Sequence, residues 1–331
     1  MRKVILTILF LMFLSLSMEA QQEPIETFYG NIRLGGILQT HFTYNLTEES
    51  SDTVQQYFSV KRCILLLWGK TNLQSVKYFI KAGGMTSPYI LETKLIFSDY
   101  IPETDIAIGR FLPAFTYYMP HNCAKIDMIE YPLFVYKYGM WQQIGVQTTT
   151  ETDYFDVNFG IFNGYPPKSM VEDNDGKDLM VSASLEPMEF VEIIGYGWFG
   201  NMLMADSTDL TKNRYGGGVL FHYPLNREQS VVLKAEGCMG KDERTGPDIQ
   251  SIGYYVHAGF RFNPQIEILA RYDSYDPDVE TDDDAETWMT GGINFFLDKD
   301  HVKISLNYIK RKEEANEYRN DKSIAQFQIF F

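Results

Sequence analysis

Sixteen stretches of this chain alternate apolar and polar residues at period two, and the segments joining them run alternately long and short. Leu34, Gly36, Leu38, Thr40, Phe42 and Tyr44 share one face of the first stretch. Phe155, Val157, Phe159 and Ile161 alternate with Asp156, Asn158 and Gly160, and Ile252, Tyr254, Val256 and Ala258 with Ser251, Gly253, Tyr255 and His257. Successive side chains of a strand point to opposite faces, so each stretch reads as a strand with one apolar side. The predicted strands are 31–44, 54–69, 74–84, 90–98, 104–111, 137–150, 153–163, 177–186, 189–199, 213–223, 229–238, 250–262, 264–273, 286–297, 301–310 and 321–331. Stretch 54–69 is apolar on both faces from Cys63 to Trp68, which leaves its inward side unassigned.

The connections decide between architectures. The short ones are 70–73, 99–103, 151–152, 187–188, 224–228, the Asn263–Pro264 junction and 298–300, and 112–136 is the longest of the others. A soluble sandwich has no reason to keep short and long connections apart, whereas a membrane barrel does. In lipid no water satisfies backbone N–H and C=O groups, so a sheet must close on itself, apolar outside and wet inside. The expected fold is all-β: a 16-stranded antiparallel transmembrane β-barrel of the bacterial outer membrane. Its termini and short turns would be periplasmic and its longer loops extracellular. Mean hydropathy is −0.22 although 45% of residues are hydrophobic, as strands apolar on one side require. Beyond the first twenty residues no apolar run reaches the length of a spanning helix. Tyr215, Phe221, Tyr223, Tyr254, Phe262, Tyr272 and Phe295 are candidates for interfacial girdles.

Met1-Arg2-Lys3 followed by the apolar run Val4 to Leu16, and Ala20 before Gln21, reads as a secretory signal peptide over 1–20, with the barrel domain over 21–331. Its removal takes away Arg2, Lys3 and Glu19, so 29 basic and 44 acidic residues become 27 and 43, a net charge of −16. That balance excludes a nucleic-acid partner, which needs clustered Lys and Arg. Cys63, Cys123 and Cys238 form neither a disulfide framework nor a zinc motif. At the other end Ala325, Phe327, Ile329 and Phe331 share a face, and a last strand ending in Phe resembles the assembly signal that barrels present to their insertion machinery.

Several segments together resemble the phosphate-selective porin O and P family. They are Ile106-Ala107-Ile108-Gly109-Arg110-Phe111-Leu112-Pro113 before the longest connection, the Phe162-Asn163-Gly164 turn, and the paired strands from Gly253 to Asp278. Gly291-Gly292-Ile293-Asn294-Phe295-Phe296 with His301 to Tyr308 completes the set. The resemblance implies a sixteen-stranded porin, a homotrimer, whose long third loop, here 112–136, folds into the lumen as a constriction. It departs from the family where Glu130 is followed by Tyr131 and Pro132 rather than by an Arg.

Alternation places Arg33, Lys77, Lys81, Lys94, Lys234, Arg261, Arg271 and Lys303 on the lumen side as pore-lining cations, beside Glu92, Asp156, Glu192, Glu236, Glu267 and Asp273. This is a mixed lumen, whereas a phosphate path needs an unbroken track of fixed positive charge. The constriction loop, entered at Arg110, carries Tyr117, Tyr118, Lys125 and Tyr131; with Phe134 and Tyr136 its tyrosines offer stacking surfaces to an organic solute. The expected function is diffusion of small hydrophilic solutes, with anions such as phosphate among the candidates. The alternative is a non-conducting barrel acting as receptor or adhesin through acidic outer loops at 172–178 and 276–286. Outer-membrane lipid, lipopolysaccharide and the insertion machinery complete the expected partners. No cofactor, metal or catalytic site is expected. Gly195-Tyr196-Gly197-Trp198-Phe199-Gly200 spells a dinucleotide motif but runs along a strand, and no GxSxG or HExxH occurs.

Overall fold

A computed structural model describes residues 24–47, 54–73, 75–84, 87, 89–164, 174–203, 209–244, 247–313 and 320–331; the predicted leader and the start of the acidic loop 172–178 lie outside them. A short strand β1 (Ile25–Thr27) precedes sixteen that form the wall. The first half of the wall is β2 (Gly30–Thr47), β3 (Gln56–Lys70), β4 (Val76–Gly83), β5 (Tyr89–Ile101), β6 (Thr104–Phe111), β7 (Gln143–Glu151), β8 (Phe155–Phe162) and β9 (Asp178–Met188). The second half is β10 (Val191–Leu203), β11 (Asp209–Pro224), β12 (Ser230–Asp242), β13 (Ile249–Asn263), β14 (Ile266–Asp276), β15 (Glu286–Asp298), β16 (Val302–Glu313) and β17 (Asn320–Phe330). Each predicted stretch overlaps one of these strands.

The wall is a closed antiparallel barrel. Each strand pairs with its sequence neighbour, and β17 returns to pair with β2, so no edge remains. Residues on the lipid side are apolar around the ring: Leu38, Leu65, Leu95, Val146, Val181, Val219, Val256, Ile268 and Leu306 are all exposed there. Of the girdle candidates, Tyr215, Tyr223, Tyr254, Phe262 and Tyr272 are exposed, and Phe221 and Phe295 are partly covered. At the seam Phe331 N–H donates to Gly36 O at 3.0 Å and Gly36 N–H to Phe331 O at 2.8 Å. A Cβ at Gly36 would come within 2.7 Å of the Phe331 ring, so the terminal ring as placed lies directly over this glycine. Phe327 and Ile329 pair with Thr40 and Leu38, which puts them on the same outward face.

One boundary differs from the expectation. The strand predicted over 137–150 begins at Gln143, because Leu133–Tyr138 forms a helix, α1. The connection between β6 and β7 is therefore 112–142 rather than 112–136. Pro132 at the helix start provides no side-chain cap; the Leu133 N–H is instead taken by Asp273 Oδ1 of β14 at 3.0 Å. Phe134 stacks on Tyr255 of β13 with centroids 5.7 Å apart, and Lys137 in the last turn pairs with Glu286 at 2.9 Å. Tertiary partners make this helix.

Charge on the lipid side is costly according to depth. Val256→Arg in the middle of β13 is expected to destabilise the barrel by ~2–4 kcal/mol and Phe262→Arg near the strand end by ~0–1 kcal/mol. Urea titration of folding into lipid vesicles checks the difference.

Candidate functional site

Connection 112–142 lies inside the barrel, and side chains pointing inward from the wall hold its backbone. Gln147 of β7 accepts from Ala114 N–H at 3.1 Å, and Glu236 of β12 from Tyr117 N–H at 2.9 Å. Lys303 of β16 donates to Ala124 O and Ile126 O, both at 3.2 Å, and Gln328 of β17 to Ala124 O at 3.0 Å. Asn307 accepts from Ile129 N–H at 2.8 Å, and Asn294 donates to Asp127 O at 2.8 Å. Arg271 of β14 donates to Glu130 O and Tyr131 O, each at 3.0 Å, and pairs with Asp273 at 2.8 Å. An irregular segment inside a membrane protein needs such partners for its backbone, and here the wall supplies them.

Apolar packing closes the same contact. Phe115 is fully buried, with ring centroids 5.1 Å from Tyr196 and 5.6 Å from Trp198; Trp198 stacks in turn on Phe162 at 5.3 Å. Met119, Ala124, Ile129, Leu133 and Val135 are at most 1% exposed. The loop is therefore a second, internal core rather than a strand of solvated chain.

Two loop carboxylates fix its charge. Asp127 accepts from Tyr118 OH at 2.6 Å and pairs with Lys234 of β12 at 2.8 Å. Burial alone would raise its pKa, but Lys234 and the Tyr118 hydroxyl together hold it well below the ordinary carboxylate range. Glu130 is likewise opposed by burial, yet Lys322 at 3.3 Å, Lys61 at 3.4 Å and the Tyr136 hydroxyl bring it down to about 2.

Lys61 and Arg62 are adjacent, and strict alternation would send one of them into lipid. A β-bulge opposite Gln39 and Thr40 solves this: Lys61 reaches Glu130, while Arg62 donates to Gln39 Oε1 at 2.7 Å. The pair of neighbouring cations was the available signal for that bulge in the otherwise unassigned stretch. Asp127, Lys322 and Asn307 were not singled out from sequence, since nothing local distinguishes them, and Glu130 stood out only as the point of departure from the family pattern.

The predicted pore-lining cations separate into two groups. Lys234, Arg271 and Lys303 hold the loop, as above. Lys81 is buried against Glu92 at 2.8 Å, Arg261 lies 3.7 Å from Glu267 and over the Phe296 ring, and Lys77 is 3.9 Å from Asp105. Lys94 sits over Phe79 and Phe111, and Arg33 is exposed near the end of the barrel that carries the turns. Arg110 belongs to β6 rather than to the loop. It pairs with Thr93 and Ile144, is itself buried, and donates to Ile90 O and Leu91 O. The preceding Gly109 has φ +140°, where a Cβ would meet Thr93 O at 2.2 Å. Tyr117, Tyr118 and Tyr131 are packed within the loop, and Lys125 is exposed on it.

The loop divides the lumen into two vestibules. Toward the turns lies a cavity of about 340 Å³ whose lining includes Glu186, Glu189, Glu192 and Glu267 with Lys234 and Arg261. Toward the long loops, Lys61, Arg62, Arg311 and Lys322 surround Tyr131, Tyr136, Trp141 and Trp288.

A closed barrel, apolar outside and holding a long inserted loop, is the porin fold, and it places the chain in the bacterial outer membrane. The family model of phosphate-selective porin O and P matches residues 209–331, from β11 to the C-terminus. Among solved structures, the outer membrane channel DcaP of Acinetobacter baumannii is similar at TM-score 0.69 and 13% identity, covering 92% of this chain and 99% of that one. The trimer form of OmpT from Vibrio cholerae gives 0.64 and 10%, over 92% and 100%. An anion-selective porin from Comamonas acidovorans gives 0.64 and 14%, over 91% and 100%. At these identities the likeness is one of fold. No curated protein matches the sequence.

Loop docking is expected to resist acid. Because the Glu130 carboxyl is lowered on folding, its contribution is complete above pH 4.5 and is lost only as pH falls toward about 2. Arg271→Ala is expected to weaken docking by ~3–5 kcal/mol, since it strands Asp273 and two carbonyls. Hydrogen exchange over 124–135 measures both effects: protection unchanged from pH 7 to pH 4.5 in the native chain, and lost in the variant while the wall stays protected.

Proposed function

We propose that the protein is a porin that passes small hydrophilic solutes by diffusion past loop 112–142, as a channel rather than an enzyme, without selectivity for phosphate. The observation that carries this reading is how the wall cations are engaged. Lys234, Arg271, Lys303 and Lys81 are held by carboxylates or loop carbonyls, so they form no continuous track for a desolvating anion. The V. cholerae relative solved as a trimer supports a homotrimer here. Phe327 and Ile329 on the outward face of β17, with Phe331 just after it, are where insertion machinery would read the chain.

The dry packing of Phe115, Phe134 and Val135 favours one other reading: a closed barrel whose outer loops act as receptor or adhesin, with the loop as plug. Planar-bilayer recording separates the two. Stepwise conductance in groups of three, with a small reversal potential in asymmetric KCl and no block by phosphate, is the expected result. A strongly anionic reversal potential with phosphate block would overturn the absence of selectivity. Silence of the native chain, with conductance appearing when the loop is shortened, would establish the plug.

A further inference from the structure

The vestibule on the long-loop side combines features that the diffusion of small solutes does not need. Tyr136 on α1 is 37% exposed, although the residues before it on the helix are buried. Its ring lies 6.0 Å from Trp141 at 37° and 6.2 Å from Trp288, forming an open aromatic angle. Around it stand Lys61, Arg62, Lys137, Arg311 and Lys322, facing Glu130, Glu286 and, at the rim, Glu313. Arg311 lies 4.2 Å over the Trp288 ring, and its buried Nε has no hydrogen-bond partner among the described residues. Of the side chains named here five are cations and three carboxylates, and Arg311, whose Nε has no partner among the described residues, stands beside a ring face.

We propose that this vestibule binds an acidic saccharide, a sugar of the uronate type, with its ring against Tyr136 and Trp141 and its carboxylate on Arg311 and Lys322. The ring faces suit the C–H side of a pyranose, and the guanidinium suits a carboxylate. The carboxylates of Glu130 and Glu286 decide between ligand classes. They accept hydroxyl donors, of which a uronate has several in an array, hydrogen phosphate dianion only one and benzoate none. Capture at this mouth deepens the porin reading by naming a solute class, but binding itself does not require conduction.

The test uses the full chain in detergent, with Trp141 and Trp288 as fluorescent reporters, titrated with trigalacturonate, maltotriose, benzoate and inorganic phosphate. Trigalacturonate is expected to saturate the emission change at about tenfold lower concentration than the other three. Tyr136→Ala and Arg311→Gln should each weaken it about tenfold, while Arg227→Gln in the exposed turn 225–229 leaves it unchanged. Heat-modified mobility on gels confirms that each variant is folded. Equal response to maltotriose, to benzoate or to phosphate, or no loss in folded Tyr136→Ala, would overturn the proposal. Saturable binding by a barrel that is silent in bilayers would instead overturn the porin reading and leave this one standing; conduction without binding does the reverse.

Discussion

Everything in this molecule follows from the rule that backbone polar groups cannot be left without partners in lipid. The rule closes β17 onto β2 and removes the sheet edge. It also governs the interior, because a long loop brought into the barrel carries its own N–H and C=O groups with it. Eight of those between 114 and 133 are met by Gln147, Glu236, Lys303, Asn307, Arg271 and Asp273. Wall and loop are thus one hydrogen-bonded unit, the wall satisfied strand to strand and the loop through inward side chains.

This arrangement explains why buried charge is tolerated in the lumen. An ion pair removed from water regains its hydration cost only when its remaining donors and acceptors are also satisfied. Arg271 meets that condition, with one carboxylate and two carbonyls around its guanidinium. Asp273 in turn caps the first N–H of α1, so the same pair both anchors the loop and starts its helix. Removing either partner would leave the other buried without its counter-charge.

The wall was legible in the sequence because its determinant is local: alternation needs only the identities of adjacent residues, and each of the sixteen stretches overlaps a strand. From its own residues the loop was legible only as a long connection, and its folding into the lumen was expected from the family resemblance alone. Its helix depends on Asp273 and Tyr255, more than a hundred residues along the chain, and Pro132 at its start offers no capping side chain. The same limit applies to charge. Alternation reports which face Lys234 and Lys303 occupy, yet whether they meet solute or hold a loop depends on Asp127, Ala124 and Ile126, which no periodicity identifies. Stretch 54–69 hid its inward side because the bulge at Lys61 changes the parity midway.

A tally of charges facing the lumen therefore misstates the field a solute meets. The wall cations near the loop are engaged by its carbonyls and carboxylates or by carboxylates of the wall, so the charge that remains effective lies above and below. Above the loop it is basic and aromatic, around Tyr136, Arg62 and Arg311; below it is acidic, around Glu186, Glu189 and Glu192. Two vestibules of opposite sign in series attract opposite ions, and each opposes what the other admits. Such a lumen favours solutes that carry both polarity and ring surface over bare ions of either sign. The overall net charge of −15 bears on none of this, because it sums loops and both vestibules into one number.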